Sequence, residues 1–410
     1  MGSASGDGSS RSDRVRQAVG LFKRIALRLP QRRAAVPANL QHRAEVPGMP
    51  GVRYRASQME LLARDSLEAV RFEREDRAAE GFDPSLPKAF FLAISGGGDK
   101  GAFAAGLLAG WTATGTRPEF KGVTGVSTGA LIAPMAFLGS VHDHIITSIY
   151  TGIGARDIFR PRSKLAAVFD DAMADNEPLR QLVSRHIDQA VLDAVAKEHK
   201  RGRLLLVGTT DLDACEGVIW NMIKIAASGH PRALQLFRDL LVASAAIPGI
   251  LPPTLLDVEV DGQQYQEMHV DGGAAAQVFL YPPSFAILER ALAEGIQRER
   301  GLYVIRNSSD GPDWAQVDRR TMAIAARGVT SLIQSQGRGD LYRLYAIAQR
   351  DGVDFNLACI PERFDAPHSE EFDTGYMRRL FDFAYSMASN GYPWHKVPFD
   401  FVPGNRSARA

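Results

Sequence analysis

Gly122-Val123-Thr124-Gly125-Val126-Ser127-Thr128-Gly129-Ala130-Leu131-Ile132 carries no charged residue and changes character in its middle. Val123 to Val126 reads as a strand and Ala130 to Leu138 as a helix, so Ser127 stands at a strand-to-helix elbow. Such an elbow holds its central residue in a strained turn that lifts the side chain out of the sheet. The residues two before and two after it must then be small, or strand and helix cannot approach. Gly125 and Gly129 meet that demand, which makes Ser127 a candidate nucleophile; a structural serine is the plain alternative. The uncharged stretch runs on to His142 and reaches the roughly 20 residues of a spanning helix. Its glycines, its hydroxyls and Pro134 mark it instead as a buried strand turning into a buried helix.

Apolar runs and helical patterns alternate around this segment. Ala89 to Ile94 reads as a strand, Ala102 to Trp111 as a helix and Leu204 to Thr209 as a strand. Continuous apolar strands alternating with helices imply an α/β fold, with a mostly parallel sheet covered on both faces. Further on come a helix over about Leu179 to His199, a strand over Val218 to Ile225 and a helix entering Ser244. A hairpin is expected around Asp261-Gly262, strands at Tyr303 to Asn307 and Phe355 to Ile360, and helices near Arg320 to Gln336 and Tyr376 to Ser389. Upstream, residues 30 to 60 read as an extended lead-in and about Gln58 to Ala79 as a charged helix. The compact part is expected to begin after Asp83-Pro84.

Two more glycine-bearing motifs flank the elbow in sequence. Ser95-Gly96-Gly97-Gly98-Asp99-Lys100-Gly101 lies between a strand and a helix, where exposed N–H groups favour an anion or a developing oxyanion. Gly96, Gly98 and Gly101 also fit a dinucleotide-binding spacing, with Glu119 near the position of a ribose-binding acid; no Gly-Lys-Ser/Thr triplet makes it a P-loop. Lys100 reads as a solvated lysine or as help for an anionic head group. The third motif, His269-Val270-Asp271-Gly272-Gly273, places an acid at the end of a strand-like run, a pattern also common in plain turns. A histidine base for Ser127 would be His368 or His395, and neither sits in a recognisable catalytic turn. His142-Asp143-His144 lacks a third ligand nearby and reads as surface residues rather than a metal site.

Together the three motifs resemble the patatin-like phospholipases, whose Gly-rich oxyanion loop, Gly-x-Ser-x-Gly elbow and Asp-Gly-Gly or Asp-Gly-Ala motif match Gly96 to Gly101, Gly125 to Gly129 and Asp271 to Gly273. The family's Ala-Ser-x-Ala-x-Pro stretch is matched by Ala243-Ser244-Ala245-Ala246-Ile247-Pro248. The resemblance covers roughly residues 88 to 281. It implies a three-layer fold and a lipid acyl hydrolase of phospholipase A or lysophospholipase type. It also implies a Ser127–Asp271 dyad, an oxyanion hole from Gly96, Gly97 and Gly98, and supporting roles for Lys100, Gly101, Gly125, Gly129, Gly272 and Gly273. No cofactor or metal is implied. On this reading residues 1–57 are a basic segment and lead-in, 58–87 a charged helix and linker, 88–281 the catalytic core and 282–410 an extension completing the same domain. Val46-Pro47-Gly48 and the Trp394 region resemble bacterial members that are often lipoproteins, but no lipidatable cysteine lies near the start of this chain. Three competing classes stay open: a nicotinamide or flavin enzyme, a Ser-His-Asp hydrolase and a non-enzymatic membrane-associated protein.

Composition bounds these readings. The 410 residues are 45% hydrophobic and 23% charged, with a net charge of +1, which describes a globular chain and gives no reason to expect nucleic acid as a partner. Cys215 and Cys359 show no paired spacing, so zinc ribbons and redox motifs drop out. Residues 1 to 50 hold nine Arg or Lys against three acids, +6 in all, which leaves −5 for the other 360. There Val15, Val19, Phe22, Ala26 and Leu29 form one apolar stripe among arginines. Lys23, Arg24 and Arg28 break any secretory apolar region, so a cytoplasmic or peripheral membrane location is favoured. For residues 14–33 two readings stand: a helix on an anionic membrane surface, or a packed helix or disordered tail.

Overall fold

Five parallel strands carry the fold. The computed structural model describes residues 32–83, 85–163, 170–281, 293–309, 311, 316–399 and 401. The basic stripe from Val15 to Leu29 lies outside them. In chain order the strands are β1 (Arg53–Tyr54), β2 (Ala89–Ile94), β3 (Gly122–Val126), β4 (Arg160–Pro161), β5 (Ala174–Asp175), β6 (Leu204–Asp211), β7 (Glu216–Asn221), β8 (Thr254–Val260), β9 (Gln263–Asp271), β10 (Arg300–Ser309) and β11 (Asp354–Ile360). The main sheet runs β1-β7-β6-β3-β2-β10-β11, and β4 pairs with β5 in a separate ribbon. From β6 to β11 neighbours are parallel, while β7 and the β8–β9 hairpin join β6 antiparallel.

The helices are α1 (Met59–Ala79), α2 (Gly101–Ala113), α3 (Thr128–Leu138), α4 (Asp143–Gly152), α5 (Glu177–His186), α6 (Gln189–Lys197), α7 (Met222–Ala227), α8 (Ala233–Ser244), α9 (Thr321–Arg350) and α10 (Thr374–Ser389). α2 and α3 are apolar almost all round because they are buried almost all round, between the sheet and the outer helices. β3 is buried at every position, the signature of a central parallel strand covered on both faces. This is the expected α/β architecture: a central, mostly parallel sheet flanked by helices.

Sheet pairing decides where the chemistry falls. β3 pairs with β6 over Leu204 to Gly208, and β9 pairs with β6 over Thr209 to Asp211. Because β7 lines the opposite edge of β6 over Leu206 to Asp211, β3 and β9 share one edge. They therefore meet end to end, and the residues that close each strand, Val126 and Asp271, become neighbours.

Local signals explain the departures from expectation. The strand predicted over Val218 to Ile225 stops at Asn221, whose side chain accepts the Lys224 N–H at 3.1 Å and starts α7 instead. The helix predicted over Leu179 to His199 breaks at Ile187-Asp188, where Asp188 caps α6 by accepting the Val191 N–H at 2.9 Å. α9 runs on to Arg350, well past Gln336. The lead-in is built into the fold rather than lying ahead of a compact part that begins after Pro84. Val36 and Ala44 pack on Val258, Val260 and Tyr265, β1 extends the sheet edge, and Arg53 and Arg55 enter a buried charge network. His142-Asp143-His144 is not all surface, since buried Asp143 pairs with Arg117 at 2.7 Å. Glu119 is exposed and pairs with Arg201 at 2.9 Å, which leaves the dinucleotide spacing without its acid.

Candidate active site

Ser127 follows β3 directly and precedes the first residue of α3. It holds φ +55° and ψ −126°, one of four described non-glycine residues with positive φ. The cost of that conformation is met by tight support on both sides. Its N–H donates to Ser244 Oγ at 3.0 Å, and Ser244 in turn donates to the Gly208 carbonyl at 2.7 Å. A Cβ on Gly129 would overlap the Ile94 carbonyl, and one on Gly125 would overlap the Gly129 carbonyl, so the elbow closes only with hydrogen at both positions. Both stand where the motif requires them.

Asp271 closes β9. Its N–H donates to the Ala246 carbonyl at 2.9 Å, and its own carbonyl accepts the Thr210 hydroxyl at 2.9 Å. The side chain folds back to accept the Gly273 N–H at 2.7 Å, and the Ser127 side chain lies near enough to it to hold its proton affinity down. Ser127 and Asp271 are 7% and 5% exposed. Burial pushes the Asp271 carboxyl up to about 6 against the opposing pull of the nearby Ser127 side chain and the Gly273 N–H. Gly272 packs against the Gly208 carbonyl, and Gly273 against Gln277.

The Gly-rich loop lies beside the serine. A Cβ on Gly96 would stand 3.1 Å from Ser127 Cβ. Its three expected oxyanion donors are not equivalent, because the Gly96 N–H is taken by the Gln277 carbonyl at 3.1 Å. Among the described residues the N–H groups of Gly97 and Gly98 have no such backbone acceptor. Gly97 adopts φ +153° and lies against the Asn307 backbone, where a side chain would collide. Lys100 lines the same cavity, and Gly101 begins α2 against Thr128 and Tyr150.

Several residues that hold this geometry gave no signal in the sequence. Asn307 is fully buried within β10 and clamps the loop, its N–H donating to Ser95 Oγ and its amide to the Ser95 carbonyl, both at 2.9 Å. Gln277 carries the Gly96 contact and is itself held by Asp340, which accepts its N–H at 2.7 Å. Ser244 lay within a stretch matched only by resemblance. His368 also lines the cavity, its Nε2 2.7 Å from Asp99 Oδ2, whereas His395 pairs through its backbone with Leu357 and does not line it.

Ser127, Asp271 and the Gly96–Gly98 loop open into one cavity of about 880 Å³. Its walls are mainly aliphatic and aromatic, with Leu131, Met135, Ile149, Phe159, Leu182 and Leu251 among them. Residues 92–282 match a family model described as patatin-like phospholipase. The chain carries a patatin-like phospholipase domain. That family implies lipid acyl hydrolase activity, and both Ser127 and Asp271 fall inside the matched segment. No curated protein matches the chain. Among solved structures, the crystal structure of VipD from Legionella pneumophila is similar at 10% identity over 75% of this chain and 67% of that one. Its TM-score of 0.34 is too low to bear on the patatin-like domain. No described helix is long and apolar enough to cross a membrane.

Proposed function

We propose that this protein hydrolyses carboxylic esters of lipids through a Ser127–Asp271 dyad and an acyl-enzyme. The observation that carries the reading is the placement of Ser127, on its strained elbow, beside the buried Asp271 carboxyl at the head of an apolar cavity. Ser127 Oγ attacks the ester carbonyl carbon as Asp271 takes its proton. The tetrahedral oxyanion is received by the N–H groups of Gly97 and Gly98, each such donor being worth about 10² to 10³ in rate. When the intermediate collapses, the carbon–oxygen bond to the alcohol breaks and Asp271 returns the proton to the leaving oxygen. Water then attacks the acyl-enzyme with Asp271 again taking a proton, the fatty acid leaves, and the proton goes back to Ser127. The α3 N-terminus, immediately after Ser127, favours the developing negative charge. An unperturbed aspartate is a poor base at neutral pH; burial raises its proton affinity toward the working range. Lys100 stands in the same cavity where an anionic head group would be received.

The test is fluorophosphonate labelling of the full chain together with assays on a panel of phospholipid, lysophospholipid and triacylglycerol esters. The probe is expected on Ser127, and Ser127→Ala and Asp271→Asn are each expected to lose activity with their folds intact. Full activity in either variant overturns the dyad. A histidine-assisted triad draws on one observation, the presence of the His368–Asp99 pair in the cavity. It predicts that His368→Ala loses activity while Asp271→Asn keeps it.

A further inference from the structure

Nine large apolar side chains are exposed among the described residues, and five of them, Val317, Ile324, Val329, Leu332 and Tyr342, fall on or just before α9. Ile324 and Leu332 are 54% and 72% exposed. At about 100° per residue, Ile324, Leu332 and Val329 lie within about 140° of one another around the helix. Arg327, Thr330, Ile333, Gln334 and Gly337 point along a different arc and line the cavity that holds Ser127, which Ala325 also touches. Val329 belongs to both sets, at the rim. One face of this half of α9 therefore closes the side of the cavity while the adjoining face presents apolar side chains outward.

Charge in this stretch is one-sided. Residues 317 to 338 contain Arg319, Arg320, Arg327 and Arg338 against one acid, Asp318, in a chain whose net charge is only +1. Exposed aliphatic side chains beside arginines, on a helix that does not qualify as a membrane span, are the features of a segment that lies in a bilayer surface rather than crossing it. Arginine stems pack along apolar surface while the guanidinium reaches lipid phosphate, and four arginines against one acid favour an anionic surface over a neutral one.

We propose that residues 317–338 form an interfacial face that seats the protein on an anionic phospholipid surface, with the mouth of the Ser127 cavity at the membrane. The inference rests on the lipid-hydrolase reading only in that the face borders the same cavity. It is distinct from the basic segment at residues 14–33.

The experiment uses the full chain carrying Ser127→Ala, so that vesicles are not consumed, in co-sedimentation with vesicles of equal parts phosphatidylcholine and phosphatidylglycerol. The double variant Ile324→Asp/Leu332→Asp, neither of whose side chains lines the cavity, is expected to lower vesicle affinity about tenfold or more. Binding of the parent is expected to weaken on phosphatidylcholine alone and at raised salt. Circular dichroism and thermal unfolding verify the fold, and Ile324→Ser/Leu332→Ser serves if the aspartates disturb it. Unchanged affinity in the folded variants overturns the proposal. So does light scattering that finds a dimer which these variants dissociate, because a second copy then covers the face. Binding is read without turnover, so failure of the dyad appears in fluorophosphonate labelling and leaves the vesicle result to stand or fall alone.

Discussion

The hydroxyl of Ser244 accepts the backbone N–H of Ser127 at 3.0 Å, so the end of α8 holds the strained elbow from beneath. Two residues later the Ala246 carbonyl accepts the Asp271 N–H at 2.9 Å. One short stretch thus braces both the residue proposed to attack and the residue proposed to take its proton. Ser244→Ala leaves the buried Ser127 N–H and Gly208 carbonyl without this partner, at about 1 to 3 kcal/mol. We expect a lower unfolding midpoint in urea and a loss in kcat that exceeds any rise in KM. An unchanged kcat would mean the elbow holds its shape alone.

The carboxyl of Asp271, raised to about 6 chiefly by burial, sets the pH dependence. As a base it must be ionised, so kcat/KM is expected to rise with pH through about 6 and level off above. Stability runs the other way. A carboxyl whose folded pKa lies above its unfolded value contributes most below the unfolded value, and the contribution is lost as pH rises through the folded one. Asp271→Asn should therefore be inactive yet more stable than the parent above pH 6, by up to about 3 kcal/mol. Chemical denaturation at two pH values measures this, and equal stability of the two proteins at both would contradict it.

The elbow has no room for a methyl group. Gly129→Ala drives a Cβ into the Ile94 carbonyl on the neighbouring strand, and the obstacle is backbone rather than a movable side chain. Overpacking of this kind costs about 1 to 3 kcal/mol or more. A lower melting temperature and loss of fluorophosphonate labelling are expected together. Gly249→Ala, whose added Cβ meets nothing within 4 Å but whose φ is +77°, is expected to lose stability only through backbone strain and to keep its labelling.

Arg55 lies buried between Asp211 and Glu267, at 2.7 and 2.8 Å, and Arg53 pairs with the same Glu267. Burial alone would push the Glu267 carboxyl up, but Arg53 and the hydrogen bond to His269 hold it well below the ordinary carboxylate range. Arg55→Ala leaves two buried carboxylates short of their cation, at about 3 to 5 kcal/mol. Because a depressed pKa contributes stability above the unfolded value and loses it as pH falls, the parent should also lose this contribution below about pH 4.5. Thermal melts across acidic pH check both outcomes.

Elements set by local pattern were legible from the chain alone. The strands Ala89–Ile94 and Gly122–Val126, the glycines on either side of Ser127 and the Asp-Gly-Gly turn all announce themselves through spacing, because period and glycine demand are local properties. Elements set by distant partners were not. Arg53 and Arg55 read as part of a loose lead-in because their partners, Asp211, Glu216 and Glu267, lie far along the chain. Asn307, within β10, and Gln277, in the loop after β9, look like ordinary polar residues, yet they clamp the Gly-rich loop.

By itself, then, the sequence determined an α/β chain with a serine elbow, a Gly-rich loop and an acid turn, since each is a short-range steric requirement. Only the tertiary structure decided that these meet. Ser127 and Asp271 become neighbours because β3 and β9 divide one edge of β6 between them, a pairing no short segment specifies. Burial then raises the proton affinity of Asp271, and the Gln277 carbonyl takes one of the three expected loop donors. Both are properties of packing, and packing depends on the whole chain.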